Sequence, residues 1–139
     1  MKLYSHKVCP YTARVKIILE LKKIDYELID PTDMGPEAYK QIIPSGRQPA
    51  IVTDEGVKLV ESEAICEYIE EAFPEIPTFP QDLEKRALLR MWSRRADLDL
   101  AGSSNLLIFM VMNNKMDQSL FPILVGGIKD KLKIMEKNM

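Results

Sequence analysis

A cysteine followed directly by a proline is the feature of this sequence most able to do chemistry. Cys9 and Pro10 come after a strand-like stretch at positions 2–5 and open a helical pattern. Proline suits the first position of a helix, so Cys9 is expected at the N-cap. There the helix dipole and the free N–H groups stabilise a thiolate, the reactive form of cysteine. Most free cysteines behave as small buried apolar groups, but this position favours a reactive one.

A second group of unusual residues lies between positions 44 and 65. Pro49 opens an apolar stretch, and a proline in a sheet is confined to the first position of a strand or to an edge. A cis bond between Gln48 and Pro49 would turn the main chain of Gln48 outward, with its N–H and C=O available to a ligand. Ser62 is expected to cap a helix, and a helix N-terminus attracts a carboxylate. We interpret this segment as a site for a small anionic peptide.

The spacing of apolar residues predicts the elements that position these side chains. Four short strands and three helices are expected in the order β-α-β-α-β-β-α. A β-α-β start implies a right-handed crossover between parallel strands, and the hairpin that follows adds antiparallel ones. The first 74 residues are therefore predicted to form an α/β domain with a mixed sheet. The strands are predicted at 2–5, 26–29, 50–52 and 57–60, and the helices at 10–23, at 37–43 and from 62.

A proline-rich stretch separates this domain from a purely helical part. Its composition predicts a stiff linker over residues 75–81, and residues 82–139 show helical periodicity only. Two helices are predicted there, one over 82–112 with a bend near position 102 and one over 118–137. The run at 106–112 is apolar on every side of its helix, so we expect a second subunit or further helices of a longer product to cover it.

Composition argues against several classes of function. The chain is 46% hydrophobic and 29% charged, which is typical of a soluble globular protein. A net charge of −2 and a pI near 5.5 argue against nucleic acid as the main partner. The longest apolar run is too short to span a bilayer. The two cysteines lack the spacing of a metal site and no export signal is seen, so we expect no metal and a cytoplasmic protein.

Together, these motifs resemble the glutathione transferase superfamily. The motifs that carry the likeness are Cys9-Pro10-Tyr11, Pro44-Ser45-Gly46 before Pro49, the Glu61-Ser62 pair, and the linker into a long helix. The likeness covers residues 1 to about 100. It implies a thioredoxin-like N-terminal domain followed by a partial, incomplete all-α C-terminal domain. A cysteine at position 9, in place of a catalytic serine or tyrosine, is similar to the omega-like classes.

The resemblance implies glutathione as a substrate and gives roles to individual residues. Cys9 would be the catalytic residue and would face the sulfur of glutathione. The Gln48 main chain would pair with the cysteinyl part, and Glu61 with Ser62 would bind the γ-glutamyl end. Arg47 could reach the glycyl carboxylate. The full set of implied glutathione-binding residues is Tyr11, Arg47, Gln48, Pro49, Glu61 and Ser62.

Three further side chains have competing interpretations. Tyr11 either points into the ligand cleft or packs under the first helix, and packing is favoured. His6, the only histidine, has no evident acid partner near it in the sequence, so packing at a surface or edge is favoured over general-base chemistry. Cys66 lies inside the helix that begins at Ser62 and is interpreted as core or interface packing.

Two functions compete. The first is a glutathione-dependent transferase or thiol transferase/reductase, in which the Cys9 thiolate attacks a glutathione mixed disulfide and a second glutathione resolves it. No CxxC pair exists, so this mechanism is monothiol. Its partners would be glutathione, a small electrophile or mixed disulfide, and a second copy in a homodimer. The alternative is a non-catalytic regulator of the stringent starvation protein A type, which has this fold and binds RNA polymerase; a membrane-associating relative of the chloride intracellular channel proteins is a weaker third.

Overall fold

The computed structural model describes residues 1–6 and 8–138 and divides into two compact units, Met1–Pro80 and Gln81–Met139. The first unit is the α/β part and the second is helical. The elements of the first unit are β1 (Lys2–Tyr4), α1 (Pro10–Leu21), β2 (Glu27–Ile29), a 3₁₀ helix (Pro31–Asp33), α2 (Pro36–Ile42), β3 (Ala50–Val52), β4 (Lys58–Val60) and α3 (Ser62–Ala72).

The four strands of the first unit form one mixed sheet in the order β2-β1-β3-β4. β1 runs parallel to β2 and antiparallel to β3, and β3 and β4 form an antiparallel hairpin. The short strands and their connections confirm the predicted thioredoxin-like order of elements. The crossover from β1 to β2 contains α1, as a parallel pair requires.

The sheet separates two apolar cores because successive side chains of a strand point to opposite faces. Leu3 of β1 packs with α1 and α3, whereas its neighbour Tyr4 packs with α2. The rings of Tyr4 and Tyr39 lie with their centroids 5.8 Å apart. The larger core consists of Leu3, Val15, Ile18, Leu19, Ile51, Ile65, Cys66 and Ile69.

A buried ion pair joins the end of α1 to α3 and to the chain that follows it. The ammonium of Lys22, the C-cap residue of α1, lies 2.8 Å from the Glu70 carboxylate. It also donates to the main-chain oxygens of Phe73 (2.7 Å) and Ile76 (2.8 Å). The Lys22 and Glu70 side chains are only 1% and 4% exposed. All three ammonium protons therefore have acceptors inside the protein, which offsets the cost of removing the charge from water.

The Glu70 carboxylate is equally well satisfied. It accepts hydrogen bonds from the main-chain N–H groups of Thr78 and Phe79 and from the Thr78 hydroxyl. Burial alone raises the pKa of Glu70, but the hydrogen bonds from Lys22, Thr78 and Phe79 outweigh it and lower the pKa to about 2. The carboxylate thus fixes the course of the chain between α3 and Pro80.

The second unit contains α4 (Leu83–Asp99), α5 (Ala101–Met112) and α6 (Leu120–Asn138). Asp82 caps α4 by accepting a hydrogen bond from the main-chain N–H of Lys85 at 2.9 Å. The helix predicted over 82–112 with a bend near 102 is divided at Leu100 instead. The Ser104 hydroxyl donates to the main-chain oxygen of Leu100 at 2.8 Å, a bond that often bends helices.

The apolar run at 106–112 falls on α5, where Phe109, Val111 and Met112 are exposed. None of the helices in the described part of the chain has both the length and the apolar character that crossing a bilayer demands.

Replacing Glu70 tests the buried pair. We expect Glu70→Gln to lower the free energy of unfolding of the first unit by about 3–5 kcal/mol, because the Lys22 ammonium stays buried without its counter-charge. The matched control is Glu37→Gln, which removes the exposed Lys40–Glu37 pair (3.3 Å). This variant should change the free energy of unfolding by less than about 1 kcal/mol. Urea unfolding followed by circular dichroism measures both, and equal effects of the two variants would contradict the assignment.

The same carboxylate predicts a pH dependence. Its pKa is depressed from 4.5 to about 2 in the folded state, so its contribution to stability is complete above about pH 4.5 and is lost as the pH falls toward 2. Urea titrations of the wild-type protein between these limits should show a loss of stability that Glu70→Gln lacks. Parallel pH profiles of the two proteins would refute this linkage.

Candidate functional site

The structure places Cys9 at the N-cap of α1, as the sequence predicts. Its backbone is extended (φ −141°, ψ 118°), and Pro10 occupies the first turn. The Cys9 carbonyl accepts hydrogen bonds from the N–H groups of Thr12 and Ala13, both at 3.1 Å. The side chain makes no capping hydrogen bond, and Cys9 is half-buried. The first turn of α1 contains no acidic residue, so the thiol lies at the positive end of the helix dipole without a neighbouring carboxylate in that turn.

Two buried hydroxyls fix the position of this turn. The Thr12 hydroxyl on α1 bonds to the Ser5 hydroxyl at the end of β1. The Ser5 hydroxyl in turn lies 3.0 Å from the main-chain oxygen of His6, to which it donates. Both serine and threonine are nearly inaccessible to solvent. The bonds tie the start of α1 to the sheet, so Cys9 is held by the rigid part of the unit.

Strand register brings the other candidate residues to the same end of the sheet. Ala50 at the start of β3 pairs with Tyr4 at the end of β1 and with Val60 at the end of β4. The residues just before Ala50 and just after Val60 therefore flank the segment that leads to Cys9. Gln48, Pro49, Glu61 and Ser62 are those residues.

Pro49 is buried directly before β3, and the Gln48–Pro49 peptide bond is cis. Gln48 is half-buried, and its side-chain amide turns back to His6. Gln48 Oε1 accepts from the His6 main-chain N–H at 2.8 Å, and Gln48 Nε2 lies 3.1 Å from His6 Nε2. The loop that carries Gln48 is thus tied to the loop after β1.

The expectation that His6 has no acid partner is wrong. His6 Nδ1 lies 3.0 Å from Asp30 Oδ1, although the two residues are 24 positions apart. The parallel register pairs Tyr4 with Ile29, so the chain segments that follow β1 and β2 leave the sheet side by side. The partner of His6 is thus set by the pairing of β1 with β2 and is not visible among the sequence neighbours of His6.

The expectation that Ser62 caps α3 is also wrong. Glu61 is the N-cap residue, with φ 70° and ψ 110°, and Ser62 is the first residue of the helix. Because Glu61, with its positive φ, occupies the N-cap position, Ser62 already lies inside the helix and cannot cap it. The buried Ser62 hydroxyl instead lies 3.4 Å from Arg14 Nη1, which donates to it from α1.

Arg47 and Glu61 form an exposed ion pair across this end of the sheet. Arg47 Nη1 lies 2.8 Å from Glu61 Oε1, and the two side chains are 70% and 62% exposed. The Tyr39 hydroxyl donates to the main-chain oxygen of Arg47 at 2.7 Å, so α2 anchors the loop that precedes β3. Tyr11 is half-buried in the first turn of α1, and its role as a ligand contact stays a prediction.

A pocket of about 200 Å³ lies beside Gln48 on the α2 side. Its lining residues are His6, Pro31, Thr32, Pro36, Tyr39, Lys40, Gly46 and Gln48. Among the residues that the structure describes, no three His, Cys, Asp or Glu side chains are grouped closely enough to hold a metal ion. The groups described at this end of the sheet include the Cys9 thiol, the His6 imidazole, main-chain polar groups and the Arg47–Glu61 ion pair.

Residues 3–77, more than half of the chain, match the family described as the N-terminal domain of glutathione S-transferase. The chain belongs to the glutathione S-transferase family. The matched range includes all the candidate site residues and, except for Lys2 at the start of β1, every element of the α/β unit. The resemblance inferred from the motifs is thereby confirmed.

Two curated proteins are similar to this chain in sequence. A probable maleylacetoacetate isomerase of Caenorhabditis elegans is 36% identical over 116 residues, which cover 81% of this chain and 54% of the relative. Glutathione S-transferase omega-1 of Mus musculus is 34% identical over 92 residues, 66% of this chain and 38% of the relative. The chain thus spans about half the length, or less, of the curated relatives that it matches.

A solved structure supports the fold of the chain. The crystal structure of a glutathione S-transferase of Methylobacillus flagellatus with glutathione bound aligns with a TM-score of 0.78 at 22% identity. The alignment covers 98% of this chain and 68% of that one. At this identity the likeness establishes the thioredoxin-like domain and the helical region that follows.

The two cysteines should differ sharply in reactivity. Burial raises the pKa of the Cys66 thiol to about 11, whereas Cys9 is half-buried at a helix N-terminus. We expect iodoacetamide to alkylate Cys9 and to leave Cys66 unmodified in the folded protein. Peptide mass spectrometry after timed alkylation measures this, with Cys9→Ser as the control. Slow modification of both thiols at equal rates would contradict the assignment.

Proposed function

We propose that the first unit of this chain binds glutathione and that Cys9 is the nucleophile of a glutathione-dependent thiol transferase. The observation that carries the proposal is the half-buried Cys9 thiol at the N-cap of α1. Cys9 lies at the end of the sheet where the segment before β3 and the segment after β4 also meet. The family match and the glutathione bound to the Methylobacillus relative support the choice of ligand.

The proposed reaction uses one protein thiol and two glutathione equivalents. The Cys9 thiolate attacks the glutathionyl sulfur of a mixed disulfide, so that a Cys9–glutathione disulfide forms and the substrate leaves as a thiolate. The thiolate of a second glutathione then attacks the glutathionyl sulfur of that disulfide. Glutathione disulfide is released, and Cys9 returns to the thiolate. In the net reaction the substrate is released as a thiol and one free glutathione is oxidised, because the other half of the glutathione disulfide comes from the mixed disulfide itself.

The charges at the sheet end are complementary to the γ-glutamyl part of glutathione. In this proposal the Glu61 carboxylate accepts the ammonium, and the Ser62 hydroxyl with the N-terminus of α3 holds the carboxylate. The Gln48 main chain, next to Pro49, is the expected partner of the cysteinyl part. Arg47 already pairs with Glu61 in the free protein, and opening so exposed a pair costs little.

The relatives favour a second candidate activity. A probable maleylacetoacetate isomerase is among the similar proteins, at 36% identity. Isomerisation of maleylacetoacetate with glutathione would use the same binding residues, with Cys9 beside the glutathione sulfur and no mixed disulfide.

The regulator that binds RNA polymerase is the remaining alternative, since it needs no glutathione site. A homodimer, which the exposed apolar side chains of α5 support, and a cytoplasmic location complete the proposal.

Glutathione binding is tested by Glu61→Gln and Ser62→Ala. Each variant should weaken binding by roughly tenfold or more, because a hydrogen bond to a charged group contributes about 1.5–3 kcal/mol. The control is Glu55→Gln, the same replacement in the exposed β3–β4 turn, which should leave the affinity unchanged. Calorimetry and a glutathione-affinity column give the measurement. Folded wild-type protein that flows through the column would overturn the proposal and favour the regulator.

The role of Cys9 is tested separately from binding. Cys9→Ser should still bind glutathione but should lose the reduction of a small glutathione mixed disulfide, because serine cannot form the disulfide intermediate. Cys66→Ala, which replaces the buried thiol, should retain the activity. Mass spectrometry of the wild-type protein quenched with acid should show glutathione attached to Cys9. Undiminished reduction by Cys9→Ser would exclude the mechanism, and isomerisation without such an adduct would favour the second candidate.

A further inference from the structure

The hydrogen bonds of Gln48 define the protonation state of His6. Gln48 Oε1 lies 2.8 Å from the His6 main-chain N, and Gln48 Nε2 lies 3.1 Å from His6 Nε2. A main-chain N–H can only donate, so the amide must turn its oxygen to the main chain and its NH₂ to the ring. His6 Nε2 is therefore the acceptor of the second bond and has no proton. The amide is held at both ends only while the ring is in this form.

The other ring nitrogen completes the arrangement. His6 Nδ1 has the proton and donates it to Asp30 Oδ1 at 3.0 Å. Asp30 is itself fixed, because the same oxygen accepts from the hydroxyl (2.7 Å) and the main-chain N–H (3.0 Å) of Thr32. The hydrogen bonds from the Thr32 hydroxyl and main chain, with a smaller effect of His6, lower the pKa of Asp30. Asp30 is thus ionised throughout the range in which a histidine titrates.

We propose that His6 is a positioning residue for glutathione: its neutral ring holds Gln48 in the binding arrangement, and its protonation releases Gln48 and weakens glutathione binding. A proton on Nε2 would face the NH₂ group of Gln48, so that two donors would meet. Rotating the amide by half a turn would present its oxygen to the ring but would bring its NH₂ against the His6 main-chain N–H. Neither orientation of the amide satisfies both partners once the ring is charged.

The proposal rests on the proposed function, since it links His6 to glutathione through the main chain of Gln48. That main chain precedes β3 and is the expected partner of the cysteinyl part of the ligand. When the Gln48 side-chain amide loses its hydrogen bonds to His6, this segment is no longer tied to the loop after β1. Protonation and glutathione binding are then coupled, and each disfavours the other to the same extent.

Other titratable groups also face the His6 ring. In the described part of the chain, the titratable side chains that contact His6 or line the pocket with it are Asp30, Tyr39 and Lys40. Asp30 is already ionised and favours the charged ring. Burial raises the pKa of Tyr39 to about 12, so it stays neutral, and Lys40 on α2 is exposed. Between about pH 5 and 8, an unperturbed histidine is the side chain whose charge changes.

The test compares wild-type protein with His6→Gln. Glutamine at position 6 supplies an acceptor oxygen close to the place of Nε2 but takes up no proton. Dissociation constants for S-methylglutathione, which has no free thiol, are measured by calorimetry at several values between about pH 5 and 8. We expect wild-type affinity to fall roughly three- to tenfold toward acid, which is the loss of about one hydrogen bond, and the His6→Gln affinity to stay constant. Equal pH profiles of the two proteins would overturn the proposal.

Nuclear magnetic resonance of the ligand-free protein separates this inference from glutathione binding itself. The side-chain amide signals of Gln48 should shift with the same midpoint as the His6 ring signals. Asp30→Asn keeps an acceptor for Nδ1 but removes the charge that favours the protonated ring, so both midpoints should move together to lower pH. Gln48 signals that ignore the titration of His6 would refute the coupling. Coupled signals in a protein that binds no ligand at any pH would instead refute the proposed function, and with it the role of His6 in binding.

Discussion

The row of backbone pairing that links Tyr4, Ala50 and Val60 is the constraint on which the rest of the site depends. It makes the end of β1, the start of β3 and the end of β4 coincide at one end of the sheet. The loop to α1, the segment before β3 and the first turn of α3 must then meet there. A slip of one residue in this register would exchange the two faces of a strand and bury the wrong side chains, so the apolar cores enforce it.

Polar contacts hold the segments beyond the strands, because the backbone hydrogen bonds of the sheet end there. The Ser5–Thr12 bond fixes the turn that carries Cys9, and the His6–Gln48 bonds fix the loop before β3. Arg14 on α1 reaches the hydroxyl of Ser62 at the start of α3. Each contact joins residues that are far apart in the sequence. The proposed binding surface thus consists of loops that are held to a rigid sheet, and pre-organisation of this kind reduces the cost of binding.

The sequence was sufficient for features that follow from local rules. A proline at the first helical position predicted the cap role of Cys9, and the spacing of apolar residues predicted the order of strands and helices in the α/β domain. It failed where a long-range contact or an unusual backbone decides. The acid partner of His6 comes from a strand that is adjacent only in the fold, and the positive φ of Glu61 displaced the expected cap at Ser62. The Lys22–Glu70 pair was missed for the same reason, because it joins two helices 48 positions apart.

The central claim is that glutathione binds at this single end of the sheet. The most direct measurement is a map of amide chemical shifts in the isotope-labelled chain during a titration with glutathione. Glutathione should cause the largest chemical-shift changes in the amide signals of Cys9, Gln48, Ala50 and Ser62. Shifts centred on the opposite end of the sheet, at the β3–β4 turn around Glu55 and Gly56, would contradict it.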